Sequence, residues 1–284
     1  MLPEVDGSML KQAAVRLLRH AGILPYAELL RFRLALREGR EKRRLFEGAH
    51  PGVELPPEDV IYDAWGWFDW EGYWTSGQTA ALYLARIIKT YLAGGRVLEW
   101  GCGPARIVRH LPDTLGAGFE IIGTDYNTNA IAWCREYVKA VRFEENRLAP
   151  PLPFEAGSIA CIYAISVFTH LSEAEHYAWI RHLFGLLEPG GLLIFSTHSD
   201  ATRHRLFGGE RRAYERGELV VRGNVEEGRR AYLAYHPVPF VQRLLNGFEL
   251  VRHEPSPVPI SYLQDLWIAR KPVSNSNVSS RSVS

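Results

Sequence analysis

Several features that mark common protein classes are scarce or missing in this chain of 284 residues. Its three cysteines, Cys102, Cys134 and Cys161, show no Cys-x-x-Cys spacing and no Cys/His cluster, so we expect buried free thiols and no metal site. The net charge of +1 argues against a nucleic-acid partner. No apolar run approaches a membrane span, and the N-terminus lacks the pattern of a signal peptide. A cytoplasmic protein is therefore expected.

The length and a hydrophobic content of 46% suffice for one catalytic domain with an extension. We expect a basic helical extension at 1–60, a main domain at 61–272 and a flexible tail at 273–284. The apolar stripe of the N-terminal extension includes Val15 and Leu18. The basic segment 31–44 could make peripheral contact with an anionic lipid surface or an acidic partner, although a solvated helix face packed against the main domain is the favoured interpretation. The oligomeric state is left open.

Strands and helices alternate through most of the main domain. Helices are predicted at about 104–111, 128–139 and 172–187, the last opened by a Ser172–Glu175 capping box and stopped by Pro189-Gly190-Gly191. This rhythm predicts an α/β, Rossmann-like, seven-stranded and mostly parallel sheet with helices on both faces, besides the N-terminal helical extension. The predicted strands are Val97–Glu99, Phe119–Thr124, Val141–Glu144, Ile159–Ile165, Leu192–Thr197, Phe248–His253 and Tyr262–Arg270.

Two segments interrupt that rhythm. Residues 62–74 include seven aromatic residues and are expected to pack as a lid or seam over the main domain, ahead of a helix capped by Thr75 or Ser76. The polar insertion at about 200–236 is long enough to cover a bound substrate.

The first two strands of the alternating region end in a pattern suited to a nucleotide-like ligand. Gly101 and Gly103 follow the first strand and remove side chains where a ligand must come close. Asp125 ends the second strand, where a carboxylate can bind both hydroxyls of a ribose. Gly-x-Gly after a strand also suits a nicotinamide dinucleotide, but Arg106 stands where that fingerprint requires Gly or Ala.

Four segments in order resemble the motifs of class I S-adenosylmethionine-dependent methyltransferases. They are Val97-Leu-Glu-Trp-Gly-Cys-Gly, Gly123-Thr-Asp, Leu152-Pro-Phe and Leu187-Glu-Pro-Gly-Gly, and the resemblance covers roughly residues 75–271. Ile165-Ser-Val-Phe-Thr-His-Leu-Ser and Gln264-Asp-Leu-Trp-Ile-Ala-Arg-Lys resemble small-molecule and glycan-associated members of the group. One departure is Ala105, which replaces the third glycine of the family pattern.

The resemblance implies S-adenosyl-L-methionine as cofactor and a role for each matching position. Its methionine end would lie near Glu99, above Gly101 and Gly103, with the free N–H groups of the next helix pointing at its carboxylate. Asp125 would bind the ribose. The adenine would lie beside Asn146 and Leu148. The transferred methyl group would lie beside Ile165 and Ser166.

Methyl transfer to oxygen or nitrogen can require a general base, and three histidines are candidates. His170 follows the fourth strand, His198 ends the fifth, and His236 lies at the end of the insertion. For each of them, a backbone contact or simple packing is the alternative interpretation.

The acceptor is narrowed by motifs that are absent. No Asn-Pro-Pro-Tyr or Pro-Cys motif is present, so the motif-dependent methylations of adenine and cytosine are not indicated. A small-molecule or glycan acceptor with a hydroxyl, amine or carboxylate remains. The alternatives are a non-catalytic cofactor-binding scaffold and, more distantly, a nicotinamide-dependent oxidoreductase.

Overall fold

The computed structural model describes residues 23–261 and 263–273. The expected apolar positions Val15 and Leu18, and the tail after Val273, lie outside the described residues. From residue 23 onward, three helices precede the sheet: α1 (Leu24–Ala49), α2 (Glu58–Trp65) and α3 (Trp70–Tyr91).

The central sheet has seven strands, as the sequence predicts. Its order is β3-β2-β1-β4-β5-β9-β8, and β9 runs antiparallel to both of its neighbours while the remaining pairs are parallel. The strands are β1 (Gly95–Trp100), β2 (Phe119–Asp125), β3 (Arg142–Glu145), β4 (Ile159–Ala164), β5 (Leu187–His198), β8 (Glu249–Glu254) and β9 (Gln264–Arg270). The order reverses between β1 and β4, which is where open α/β sheets bind ligands.

Helices cover both faces of the sheet. Because side chains alternate along a strand, Val97 joins one core with α3 and α5 (Thr128–Tyr137), whereas Leu98 joins the other with α6 (Glu173–Leu186) and α8 (Val238–Leu244). The short helix α4 (Leu111–Leu115) packs on the α3 side.

The insertion between β5 and α8 has secondary structure of its own. It contains a 3₁₀ turn (Asp200–Arg205), α7 (Gly209–Glu215) and an antiparallel hairpin of β6 (Val220–Arg222) and β7 (Leu233–Tyr235). The loop that joins these two strands reaches across the carboxyl edge of the main sheet.

The N-terminal helices share an aromatic core with the segment that follows them. Phe46 of α1, Tyr62 of α2, and Trp70 and Tyr73 of α3 are all buried in one cluster. The expected boundary at residue 60 falls inside α2. In the described part of the chain, no helix combines the length and apolar character that crossing a bilayer requires.

Three local expectations were wrong. The chain forms turns after Gly103, then a 3₁₀ turn (Val108–His110) and α4, so no α-helix points its N-terminus into the glycine loop. Asp69, not Thr75 or Ser76, caps α3 by accepting the N–H of Gly72 at 3.1 Å. Pro189 and the two glycines after it lie within β5, because α6 already ends at Leu186.

Candidate active site

A cleft opens at the carboxyl ends of β1, β2 and β4. The structure brings together there all but one of the residues expected to bind the cofactor: Gly101, Gly103, Asp125, Asn146, Leu148, Ile165 and Ser166 line it. His170 lines it as well, and so do Gly228 and Arg230 from the insertion.

The glycine loop is held against the end of β2. The N–H groups of Gly101 and Cys102 both donate to the carbonyl of Thr124, at 2.8 and 2.9 Å. Gly101 has φ +77°, and a Cβ there would lie 2.3 Å from Cγ2 of Val167. A side chain is therefore excluded both by the backbone conformation and by the neighbouring strand end. Ala105 also has positive φ, +60°, so alanine takes the left-handed conformation that glycine would adopt freely.

Asp125 joins the glycine loop to the second strand. Its Oδ2 accepts the N–H of Gly103 and its Oδ1 accepts the N–H of Asn127, both at 2.8 Å. Burial raises the pKa of this carboxyl, against the lowering effect of those hydrogen bonds. The two backbone donors fix the carboxylate at the cleft wall, and each oxygen keeps a further lone pair for a ligand.

Asn146 forms the far wall of the cleft. Its backbone N–H donates to the carbonyl of Asp125 at 3.0 Å, and its Nδ2 donates to the carbonyl of Arg147 at 2.6 Å. Its Oδ1 is buried and has no hydrogen-bond partner among the described residues. A buried acceptor without a partner is unfavourable by about 1–3 kcal/mol, so a ligand that donates there would be stabilised.

Glu99 is the one expected cofactor contact that does not line the cleft. Its Oε2 accepts both the N–H of Val108, at 3.0 Å, and the hydroxyl of Tyr163, at 2.9 Å. Burial raises its pKa to about 8. The carboxyl group thus holds the turn after the glycine loop against β4.

The three candidate histidines occupy different environments. His170 is half-buried at the cleft, and its Nδ1 lies 2.7 Å from the carbonyl oxygen of Tyr232. A carbonyl can only accept, so Nδ1 carries the proton and Nε2 of the neutral ring is left as an acceptor. Burial lowers the pKa of His170, which favours this neutral form.

His198 and His236 are buried behind the cleft and do not line it. Nδ1 of His198 donates to the carbonyl of Ala234 at 2.7 Å, and burial lowers the pKa of His198 to about 4. Nε2 of His236 lies 2.8 Å from Nε2 of His176. Both rings tie the hairpin to the main domain, so the geometry singles out His170.

A strap of the insertion, residues 226–232, lies over the cleft. The N–H of Gly228 donates to the carbonyl of His170 at 3.0 Å, and the carbonyl of Gly228 accepts the hydroxyl of Tyr126 at 3.1 Å. Glu227 accepts the N–H of Ser172, the contact that the expected capping box assigned to Glu175. Arg229 pairs with Asp63 of α2 at 3.1 Å. The strap therefore bridges the two walls of the cleft.

Residues 97–191 match the sequence family described as "Methyltransferase domain". This match identifies a methyltransferase domain at residues 97–191. The strand order and the antiparallel β9 give the chain the fold of class I S-adenosylmethionine-dependent methyltransferases. The nicotinamide alternative is thereby set aside.

Solved structures share the fold of this methyltransferase. An S-adenosylmethionine-dependent methyltransferase from Methanosarcina mazei is 19% identical with a TM-score of 0.52, over 66% of this chain and 97% of that one. The glycopeptide N-methyltransferase MtfA, complexed with S-adenosyl-L-methionine, is 16% identical with a TM-score of 0.50, over 69% and 94%. A chain in the complex of the Haloferax volcanii Trm112 activator with a putative methyltransferase is 13% identical with a TM-score of 0.53, over 77% and 100%.

Several residues at the methyltransferase cleft were not found from the sequence. Asp63 of α2, Tyr126 and the strap residues Gly228 and Arg230 line it, and they carry no local motif. Gln264 reaches Ser166 from β9. Its position at the start of the family-like ending Gln264-Asp-Leu-Trp was the signal that could have found it.

Proposed function

We propose that the cleft binds S-adenosyl-L-methionine through the residues that line it. The loop of Gly101 and Gly103 holds the methionine end, and Asp125 accepts the two ribose hydroxyls. Asn146 and Leu148 contact the adenine, and Ile165 and Ser166 lie beside the methyl group. Glu99 acts indirectly, because it holds the turn that supports the glycine loop.

The cofactor assignment rests on two hydrogen-bond acceptors in the same cleft, the carboxylate of Asp125 and the unpartnered Oδ1 of Asn146. The first offers free carboxylate lone pairs and the second a buried acceptor without a donor. A nucleoside presents matching groups, namely ribose hydroxyls and an exocyclic adenine amine. The two residues lie on neighbouring parallel strand ends, joined by the hydrogen bond from Asn146 N to Asp125 O.

We further infer a small polar acceptor, a sugar, glycan or metabolite with a hydroxyl or amine. The strap bridges the cleft and leaves little room above it for a large rigid partner. The similarity to a glycopeptide N-methyltransferase supports this class. Two of the seven basic residues at 31–44 are engaged within the chain: Arg31 lies over Trp67, and Arg43 pairs with Glu47 and Glu58.

When bound, S-adenosylmethionine supplies a methyl group on a sulfonium, already activated for in-line displacement. The residues of this chain have three tasks. The cleft aligns donor and nucleophile, which can contribute about 7–11 kcal/mol to the rate. Nε2 of His170 takes the proton that a hydroxyl or amine loses. The strap limits the access of water to the reacting groups.

A non-catalytic scaffold is the remaining alternative, and binding assays alone do not exclude it. Calorimetry with S-adenosylhomocysteine and with NAD tests the cofactor assignment: binding of the first alone supports it, and binding of NAD alone contradicts it. Turnover of the tritiated methyl donor over pooled sugars, metabolites and total RNA then separates an enzyme from a scaffold. Label in RNA, with binding that falls steeply as salt rises, would contradict the small-acceptor proposal.

Three free buried cysteines are compatible with a reducing compartment such as the cytoplasm.

A further inference from the structure

Three polar side chains from three strand ends form a closed hydrogen-bond ring at the cleft. Ser166 follows β4, Ser196 lies near the end of β5, and Gln264 opens β9. The N–H of Ser166 donates to Oγ of Ser196 at 2.8 Å, and that hydroxyl donates to Oε1 of Gln264 at 2.6 Å. Nε2 of Gln264 donates back to Oγ of Ser166 at 2.6 Å.

The ring also accounts for the hydroxyl proton of Ser166. Oγ of Ser166 lies 3.0 Å from Oε1 of Gln264, which can accept a second hydrogen bond. The hydroxyl hydrogens of Ser166 and Ser196 therefore both point at Oε1 of Gln264, within the ring. A serine oxygen has two lone pairs, and Gln264 occupies one of those on Ser166. The other remains at the cleft, so Ser166 presents itself to a ligand as a hydrogen-bond acceptor.

The backbone at Ser166 indicates that the position is held by its surroundings. Its φ is +63°, a left-handed conformation that is costly for a residue with a side chain. Contacts from both sides maintain it: Ser196 accepts its N–H, and the hydroxyl of Thr169 donates to its carbonyl at 2.8 Å. Ser196 is fully buried and so cannot meet a ligand itself.

We propose that Gln264 and Ser196 are positioning residues that hold Ser166 as the hydrogen-bond acceptor for the incoming nucleophile. This inference rests on the proposed function, which puts the transferred methyl group beside Ser166. It narrows the substrate class, because the nucleophilic atom must carry a hydrogen for Ser166 besides the proton that His170 removes. A primary amine has both hydrogens, whereas a hydroxyl or a secondary amine has only one and can engage only one of the two residues. Tertiary amines and ring nitrogens without hydrogen are disfavoured.

A pair of cofactor analogues tests the proposal without knowledge of the acceptor. Sinefungin carries an amine-bearing carbon in place of the methyl sulfonium, whereas S-adenosylhomocysteine has neither the methyl nor the amine. The amine is an N–H donor at the position of the methyl group. The ratio of the two dissociation constants, measured by calorimetry, therefore reports on the acceptor that Ser166 presents.

In the wild type, sinefungin should bind more tightly than S-adenosylhomocysteine. Ser166→Ala should reduce that preference about tenfold or more, as expected for a lost hydrogen bond to a charged donor. Gln264→Leu and Ser196→Ala should reduce it in the same direction, with affinity for S-adenosylhomocysteine kept within about threefold. Gln242→Leu, the same change at an exposed position of α8, should leave the ratio unaltered.

The double variant Ser166→Ala/Gln264→Leu decides whether Gln264 acts through Ser166. Its ratio should equal that of Ser166→Ala alone, since the second change then removes nothing further. Additive losses, or an unchanged ratio in a Gln264→Leu protein that melts like the wild type, would overturn the proposal. A wild type that binds neither analogue would contradict the proposed function itself, which is a different outcome.

Discussion

The imidazole of His170 donates from Nδ1 to the backbone carbonyl of Tyr232 over 2.7 Å. The same histidine accepts the N–H of Gly228 at its own carbonyl. Both partners belong to the strap, so a residue that lines the cleft also anchors the segment that lies over it. The contact with Tyr232 sets the tautomer of His170 and, together with the contact from Gly228, holds the strap in place.

His170→Ala should lower turnover by about 10²–10⁴-fold, the usual contribution of a positioned base, and leave cofactor affinity unchanged. His204→Ala is the matched control, because His204 is exposed and also contacts a backbone carbonyl through Nδ1. Burial lowers the pKa of His170, so the neutral base persists below its ordinary pKa of about 6.5. Turnover should therefore decline on the acid side only below about pH 6.5, and full activity of His170→Ala would rule the base role out.

Asp125→Ala should weaken binding of S-adenosylhomocysteine by about 1.5–3 kcal/mol for each charged hydrogen bond to ribose that is lost. The change also frees the N–H groups of Gly103 and Asn127, so the melting temperature should be measured beside the calorimetry. Asp113→Ala, at an exposed position of α4, serves as control. Unaltered affinity in a folded Asp125→Ala protein would remove this residue from the site.

Glu99→Gln should change how stability depends on pH. Burial raises the pKa of Glu99 to about 8 in the folded protein, above its unfolded value of about 4.3. The contribution of the Glu99 carboxyl to the free energy of unfolding is therefore complete below about pH 4.3, and it is lost as the pH rises through 8. Gln can keep both contacts, since Val108 and Tyr163 donate to the same oxygen.

As the pH rises from 5 to about 8, the melting temperature of Glu99→Gln should increase relative to that of the wild type. Parallel curves over that interval would show that Glu99 is ionised in the folded protein. Glu155→Gln, at an exposed position of the loop before β4, provides the comparison for a carboxylate in solvent.

Gly101→Ala should destabilise the glycine loop for two separable reasons. The left-handed backbone is unfavourable for alanine by about 1–2 kcal/mol, and the new Cβ would lie 2.3 Å from Cγ2 of Val167. The double variant Gly101→Ala/Val167→Ala relieves only the clash and should restore part of the lost stability and cofactor affinity. If it restores nothing, the contact with Val167 is not what excludes a side chain. Gly157→Ala, where φ is also positive (+67°) but no atom lies within 4 Å of the new Cβ, isolates the backbone effect.

The sheet was predictable from the sequence because most of its strands are short apolar runs, and the first two end next to a glycine or at an acidic residue. Asp125 and the glycine loop follow from that pattern, and the structure confirms their proximity with the contact from Gly103. The helix expected after Gly103 was wrong because the segment turns to satisfy Glu99 through Val108 instead. Sequence spacing does not reveal that a buried carboxyl will take up a backbone donor.

The roles of the insertion could not be predicted from its local sequence either. The contacts of Gly228 with Tyr126 and His170 join positions 102 and 58 residues apart, and no motif marks Gly228 itself. His198 ends β5 and His236 lies at the end of the insertion, as expected. The ring of His198 contacts the hairpin, however, and that of His236 contacts His176 of α6. Only tertiary packing distinguishes them from His170.

The most direct measurement is transfer of a tritiated methyl group from S-adenosylmethionine to a pooled set of hydroxyl- and amine-bearing small molecules by the full chain. We predict label in a low-molecular-weight product, lost in Asp125→Ala through weaker cofactor binding and in His170→Ala with cofactor binding retained. No label in any acceptor, from a protein that binds S-adenosylmethionine normally, would contradict the account and favour a scaffold.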